Sequence, residues 1–265
     1  MDILQQAVAD TAYDIRDYKI CAANSFPENF LCEFPISIKN QGSKPTCVAH
    51  AVSSLIEYHY YKHSKKTRLF STEFIYGIRE LGYYKGDGMR IKNALNTALK
   101  YGDPFKTECP GNNDVEDAIK NIEAKEDEYK ELAYPHRISA YYKCTSEEEI
   151  KTALLNHGPV AVSMNTYDGA TIINDTYAWD ATRDFGKHCV LVVGWNQDGW
   201  IIHNSWGKAY AGDGRFTLPY EFKLNEAWGV ADDIDDECIK KPSKLLTFFA
   251  SIINRIMNWI LNFKK

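Results

Sequence analysis

Between residues 47 and 63, apolar side chains fall at 48, 51, 52, 55, 56 and 60, a spacing that predicts an amphipathic helix. Thr46 or Ser43 is placed to cap it, so Cys47 would sit in its first turn. The stretch STEFIYGIRELGYY opens on Ser71-Thr72-Glu73 and predicts a second, short helix. The glycines of KGDG, Gly86 and Gly88, mark a turn before a third helix, RIKNALNTALKYG, which ends at Gly102. Residues 113–133 are charged and helix-prone, and read as a solvated surface helix. After Tyr134 the texture changes. RISAYYKC, GPVAVSMNT, HCVLVVGW, GWIIHNSW and GRFTLP are short, apolar or alternating, and separated by Gly, Asn and Asp, which predicts strands. One helix, SEEEIKTALLNHG, interrupts them, with Ser146 and Glu149 spaced as a capping box. Helices first and a sheet afterwards imply an α+β fold of two lobes with a cleft between them. Residues 1–46 read as mostly irregular, and no internal repeat is present.

Composition narrows the classes of function. A chain of 265 residues, 45% hydrophobic and 25% charged, can bury a sizeable core. The net charge of -5 and scattered basic residues leave no cationic stripe, so a nucleic-acid partner is not expected. The start, MDILQQAVADTAYDIRD, has neither a basic end nor an apolar core, so no secretory signal is expected and the cytoplasm is the expected location. The seven cysteines are odd in number and irregular in spacing, which speaks against a disulfide scaffold and for a reducing compartment. No CxxC pair or Cys/His knuckle suggests structural zinc.

A cysteine at a helix start gains nucleophilicity from the helix N-terminus and from an imidazolium nearby. His50, His59 and His63 share the Cys47 helix and point back along it or outward; His59 and His63, spaced i,i+4, lack a third metal ligand and read as surface residues. His136 and His157 lie beside loops or a helix end. His188 opens the apolar strand HCVLVVGW after Gly186, at a lobe boundary. Asn204 follows sixteen residues later, one hairpin away, and its amide can orient the ring, with Trp206 shielding that bond from water. Gln41, six residues before Cys47, can form an oxyanion hole with the Cys47 backbone N–H. Each residue also has a structural reading: a core thiol, a strand-end donor, a turn amide. Cys189, beside His188, reads as buried.

Taken together, Gln41, Cys47, His188 and Asn204-Ser205-Trp206-Gly207 resemble the papain family of cysteine peptidases. DIRD near residue 14 is similar to the start of that family's mature domain, and KGDG to the segment whose glycines offer backbone to an extended substrate. The resemblance implies a papain-like fold, a helical lobe and an antiparallel β-barrel-like lobe with the active-site cleft between them. It implies catalytic Cys47, His188, Asn204 and Gln41, and substrate contacts at Gly86, Asp87, Gly88 and Trp206. The implied reaction is hydrolysis of a peptide or isopeptide bond through a thioester, with endopeptidase action and no metal or organic cofactor. A catalytically silent binding module and an acyl transferase are the alternatives.

Departures from the family pattern place the chain nearest the short, disulfide-poor microbial and viral members. Lys44 stands where a disulfide cysteine is usual, Val48 where an aromatic residue follows the nucleophile, and Tyr210 where a tryptophan is expected. The expected domains are an extension over residues 1–11, too short for a long inhibitory propeptide, a catalytic domain over 12–238 divided near 133, and a linker and helix over 239–265. In that tail Leu245, Phe249, Ile252, Ile256, Ile260 and Phe263 make one stripe, opposite Thr247, Ser251, Asn254, Arg255, Asn258 and Asn262. Three uses are open for residues 243–265: packing on the domain, association with a membrane surface, or binding a partner protein. A monomer acting on peptide or protein substrates is expected.

Overall fold

The computed structural model describes residues 17–33, 35–79, 87–111, 115–231 and 239–240. The expectations for residues 1–11, for most of DIRD, for Gly86, for Cys238 and for the tail 243–265 lie outside the described residues. The helices are α1 (Cys47–Ser64), α2 (Thr72–Gly77), α3 (Ile91–Lys100), α4 (Val115–Ala124), α5 (Glu126–Ala133) and α6 (Glu147–Asn156). The strands are β1 (Tyr18–Ile20), β2 (Phe30–Leu31), β3 (Ala140–Cys144), β4 (Val160–Tyr167), β5 (Thr171–Ile173), β6 (Thr176–Ala178), β7 (Asp184–Asn196), β8 (Gly199–His203), β9 (Arg215–Pro219), β10 (Leu224–Ala231) and β11 (Ile239–Lys240). The expected α+β layout holds. The sheet runs β11-β1-β3-β10-β4-β7-β8-β9-β6-β5, with β2 pairing β7 off this path. It is antiparallel through its centre, while β1/β3 and β6/β9 are parallel pairs. Its path ends at β5 and β11, so it is an open mixed sheet where a barrel-like antiparallel lobe was expected.

Burial explains which strands the sequence advertises. β4 and the inner part of β7 are buried almost throughout, because α1 and α6 both pack against them. Strands covered on both faces read as continuous apolar runs, and these two do. β3 instead alternates buried and half-buried residues along AYYKC, as expected for a strand with one wetter face. α1 departs most from its pattern. Residues 47–57 are all buried, including Ser53, Ser54 and Glu57, because the helix is packed against both sheet and neighbouring helices. His59 is buried too, which corrects its reading as a surface residue, whereas His63 is exposed.

The helix ends are set by local chemistry. Ser71 accepts the Phe74 N–H at 3.2 Å and starts α2. Ser146 accepts the Glu149 N–H at 3.2 Å, but the Glu149 carboxylate reaches back to the Thr145 N–H, one residue before the capping residue. Thr46 precedes α1 without a side-chain capping bond. The charged segment 113–133 breaks at Lys125 into α4 and α5, and Ile122, Tyr129 and Ala133 are buried, so it is more than a solvated face. No disulfide joins any two of the six described cysteines, Cys21, Cys32, Cys47, Cys109, Cys144 and Cys189.

Gly102 ends α3 with φ of 85°, its N–H bonded to the Ala98 carbonyl. A Cβ there would stand 2.1 Å from the Ala133 carbonyl oxygen, in a backbone conformation that L residues avoid. Gly102→Ala should therefore lower stability by about 2–4 kcal/mol, combining overpacking with a left-handed residue. Urea titration measures it, and a loss below about 0.5 kcal/mol would contradict the packing described.

Candidate active site

Cys47 is the first residue of α1 and is fully buried against β7. Burial pushes its thiol up to about 12, while the Cys189 backbone facing it and the backbone of the first helical turn pull the other way. The helix N-terminus therefore does not by itself give a thiolate here, because desolvation outweighs it. One turn on, His50 folds back so that its Nδ1 lies 2.9 Å from the Thr46 carbonyl, as expected. A carbonyl only accepts, so Nδ1 carries the proton, and burial drives that imidazole down to about 3, keeping it neutral.

His188 is the fifth residue of β7, where the strand passes from half-exposed to buried. The sequence predicts it at the strand start; β7 begins four residues earlier because residues from Asp184 to Lys187 pair with the outer end of β4. Its Nε2 lies 2.8 Å from Asn204 Oδ1, and Trp206 stacks on the ring at 4.4 Å and 21°. The same Asn204 Oδ1 accepts the Ser205 backbone N–H at 2.8 Å. An N–H can only donate, so the amide oxygen must face this side, and His188 must donate from Nε2. Nδ1 is then the basic nitrogen; it is buried and has no hydrogen-bond partner among the described residues. Burial lowers this imidazole to about 4, with the Asn204 bond pulling it up.

Gln41 is buried, and both ends of its amide are fixed. Oε1 accepts the Ser205 hydroxyl at 2.6 Å and Nε2 donates to the Lys44 carbonyl at 2.8 Å, leaving the second N–H of the amide for another acceptor. Its backbone N–H donates to the Ser205 carbonyl at 2.8 Å, Gly207 N–H donates to the Lys39 carbonyl at 2.9 Å, and Asn40 bridges to Trp206. Residues 39–41 and 205–207 thus form a short ladder that ties Gln41 to Asn204. Ser205 was not singled out from the sequence, although it stands inside the Asn-Ser-Trp-Gly run. Its hydroxyl fixes the Gln41 amide and its N–H fixes the Asn204 amide.

Cys47, at the start of α1, packs against β7, the strand that carries His188, while Gln41, Asn204 and Trp206 lie on the two paired loop segments. Trp206 touches the imidazole and Tyr210, with the Tyr210 ring edge-on at 4.9 Å. Asp87 is exposed. Gly88, with φ of 87°, gives its N–H to the Tyr76 hydroxyl at 3.2 Å and accepts at its carbonyl from Arg79, so both backbone groups are engaged, one by α2 and one by the residues just after it. Cys189 is buried, as expected. Among the described residues no group of three or more His, Cys, Asp or Glu side chains is arranged to hold a metal ion.

Comparison with known proteins shows the family of the chain. Residues 33–233 match the family model described as papain family cysteine protease. Over 210 residues the chain is 26% identical to an uncharacterized peptidase C1-like protein of Acanthamoeba polyphaga mimivirus, covering 71% of this chain and 65% of that protein. It is 27% identical to mouse cathepsin K over 205 residues, 74% of this chain and 59% of the relative. The matched part therefore spans less than two thirds of either relative. Among solved structures, xylellain, a cysteine protease from Xylella fastidiosa, superposes with a TM-score of 0.74 at 21% identity, over 85% of this chain and 95% of that one, a likeness of fold.

Proposed function

The chain belongs to the papain family of cysteine proteases, and we propose that it hydrolyses peptide bonds through a thioester on Cys47. The observation that carries the reading is the buried 2.8 Å bond between His188 Nε2 and Asn204 Oδ1, because it leaves Nδ1 as a base beside the strand that Cys47 packs against. Separately, a thiol raised to about 12 and an imidazole lowered to about 4 both stay neutral at pH 7. Passing the proton from Sγ to Nδ1 creates both charges at once, and each is the counter-ion of the other. Sγ then attacks the substrate carbonyl carbon, and the carbonyl oxygen becomes an oxyanion. The free N–H of Gln41 Nε2 and the Cys47 backbone N–H are the donors for it. His188 Nδ1–H protonates the leaving amine, the C–N bond breaks and a thioester remains. Nδ1 next takes a proton from water, hydroxide adds to the thioester, and Sγ leaves as the carboxylic acid product is released. Asn204 keeps the ring in the tautomer this cycle needs, and the Trp206 face excludes water from the Nε2 bond.

Gln41→Ala tests the oxyanion assignment. kcat on a fluorogenic peptide amide should fall by about 10²–10³ with little change in KM, because the lost donor acts on charge that exists only in the transition state. A kcat within about threefold of wild type would remove Gln41 from the mechanism.

A further inference from the structure

The two donors proposed for the oxyanion stand on different elements, Gln41 on the 39–41 segment and Cys47 on α1, and Lys39 spans them. Its carbonyl accepts the Gly207 N–H at 2.9 Å. Its side chain runs into the interior, where Nζ lies 2.8 Å from Glu57 Oε1. Glu57 is fully buried in α1, and the same Oε1 accepts the Phe70 backbone N–H at 2.9 Å. Asp103, also fully buried, lies in the loop after α3, within electrostatic reach of both Lys39 and Glu57. Ser53 stands i,i+4 from Glu57 on the same face of α1, beside Asp103. Ser53 Oγ, Glu57 Oε2 and both Asp103 oxygens have no hydrogen-bond partner among the described residues.

One ammonium thus faces two buried carboxyl groups. Ionising both would leave a net negative charge in a dry site, which is costly. One carboxylate, one carboxylic acid and one ammonium are neutral. Burial raises both acids, Asp103 well above the ordinary carboxylate range, with Lys39 opposing. The other titratable groups that feel the cluster are Lys106 beside Glu57 and His50, Cys109 beside Asp103, and His50 and His203, both near Lys39 and both driven down to about 3 by burial.

We propose that Lys39 is a positioning residue for Gln41, held between α1 and the 205–207 segment by a buried cluster in which Glu57 is the carboxylate and Asp103 the carboxylic acid. The proposal rests on Gln41 as an oxyanion donor. The tether fixes the 39–41 segment relative to α1, and so fixes the spacing of the two donors.

Two rates separate positioning from folding. Hydrolysis of a peptide amide needs the oxyanion donors, whereas alkylation of Cys47 by iodoacetamide needs only the thiol and His188. In Lys39→Met/Glu57→Gln, which leaves no lone charge behind, kcat should fall by about 10- to 100-fold. KM and the alkylation rate should each stay within about threefold. Gln41→Ala measured alongside should show the same split, and the alkylation rate reports that the site is folded. Parallel loss of kcat and alkylation, or no loss of either, overturns the proposal with the Gln41 reading intact. Absence of the split in Gln41→Ala itself overturns both. Asp103→Asn tests the acid. A carboxyl raised on folding contributes stability that is present below about pH 4 and lost as pH rises through its folded value. The unfolding temperature of the variant minus that of wild type should therefore grow from pH 5 to pH 9. A difference that stays flat or shrinks would mean that Asp103 is not the acid.

Discussion

Cys47→Ser should abolish peptide hydrolysis, with kcat/KM down by about 10⁴–10⁶, the scale of removing a nucleophile from a site that works as a unit. A hydroxyl is a far weaker acid than the thiol it replaces. The base available is an imidazole lowered to about 4 by burial, too weak to take a proton from an alcohol at neutral pH. The substitution removes no carbon and Cys47 is fully enclosed, so the fold and the His188–Asn204 bond should persist. The variant is therefore expected to bind peptide without turning it over. Fluorogenic peptide assays with circular dichroism as a folding control measure this. Activity above about 1% of wild type would place the nucleophile elsewhere.

His188→Ala should cost a comparable factor and change the pH profile in a way that identifies the missing group. With the imidazole gone, nothing accepts the thiol proton inside the site, and Cys47 must ionise alone, at about 12. Residual activity, and alkylation of Cys47, should then rise about tenfold per pH unit from pH 7 to pH 10, following the thiolate fraction. Wild type should show no such climb, because its proton passes to Nδ1. The variant also leaves a gap between Trp206 and Asn204, at a stability cost of about 1–3 kcal/mol. An alkylation profile identical to wild type would show that His188 does not serve the thiol.

Much of this site is legible in the sequence because its chemistry depends on residue types at fixed chain positions. Cys47 follows a capping position at the start of a periodic helix, and His188 is the polar residue that borders the unbroken apolar run of β7. Asn204 directly follows the next strand of the hairpin. The short pairings are less legible. β1, β2, β5, β6 and β11 have two or three residues each, too few for a period of two to register, and apart from the β5/β6 hairpin their partners lie far away in sequence. β10 has eight residues but no strand pattern in the sequence, since LNEAWGVA mixes buried Glu226 and Gly229 among its apolar positions. Gly229 is there because a Cβ would stand 2.5 Å from the Tyr142 ring. His59 looked like a surface residue because i,i+4 histidines on a helix end usually are; only the packing around α1 buries it. Ser205 and Lys39 were unreadable for a different reason. Their partners, Gln41 and Glu57, are common polar residues, and nothing in a single sequence says that a serine hydroxyl 164 positions away will hold a glutamine amide. Gly88 takes a positive φ, and its backbone partners are Tyr76 and Arg79, set by where α2 ends.

The claim that Cys47 is an activated nucleophile conflicts sharply with simple accessibility, and that conflict supplies its most direct test. Of the six described cysteines, Cys21 is half-buried and the others, Cys47 included, are buried. We would treat the full chain at pH 7 with an epoxide that alkylates activated thiols, and map the adducts by peptide mass spectrometry in wild type and His188→Ala. The account predicts one adduct, on Cys47, in wild type, and its loss in the variant. An adduct on Cys21 with Cys47 untouched, or equal modification of Cys47 in both proteins, would contradict it.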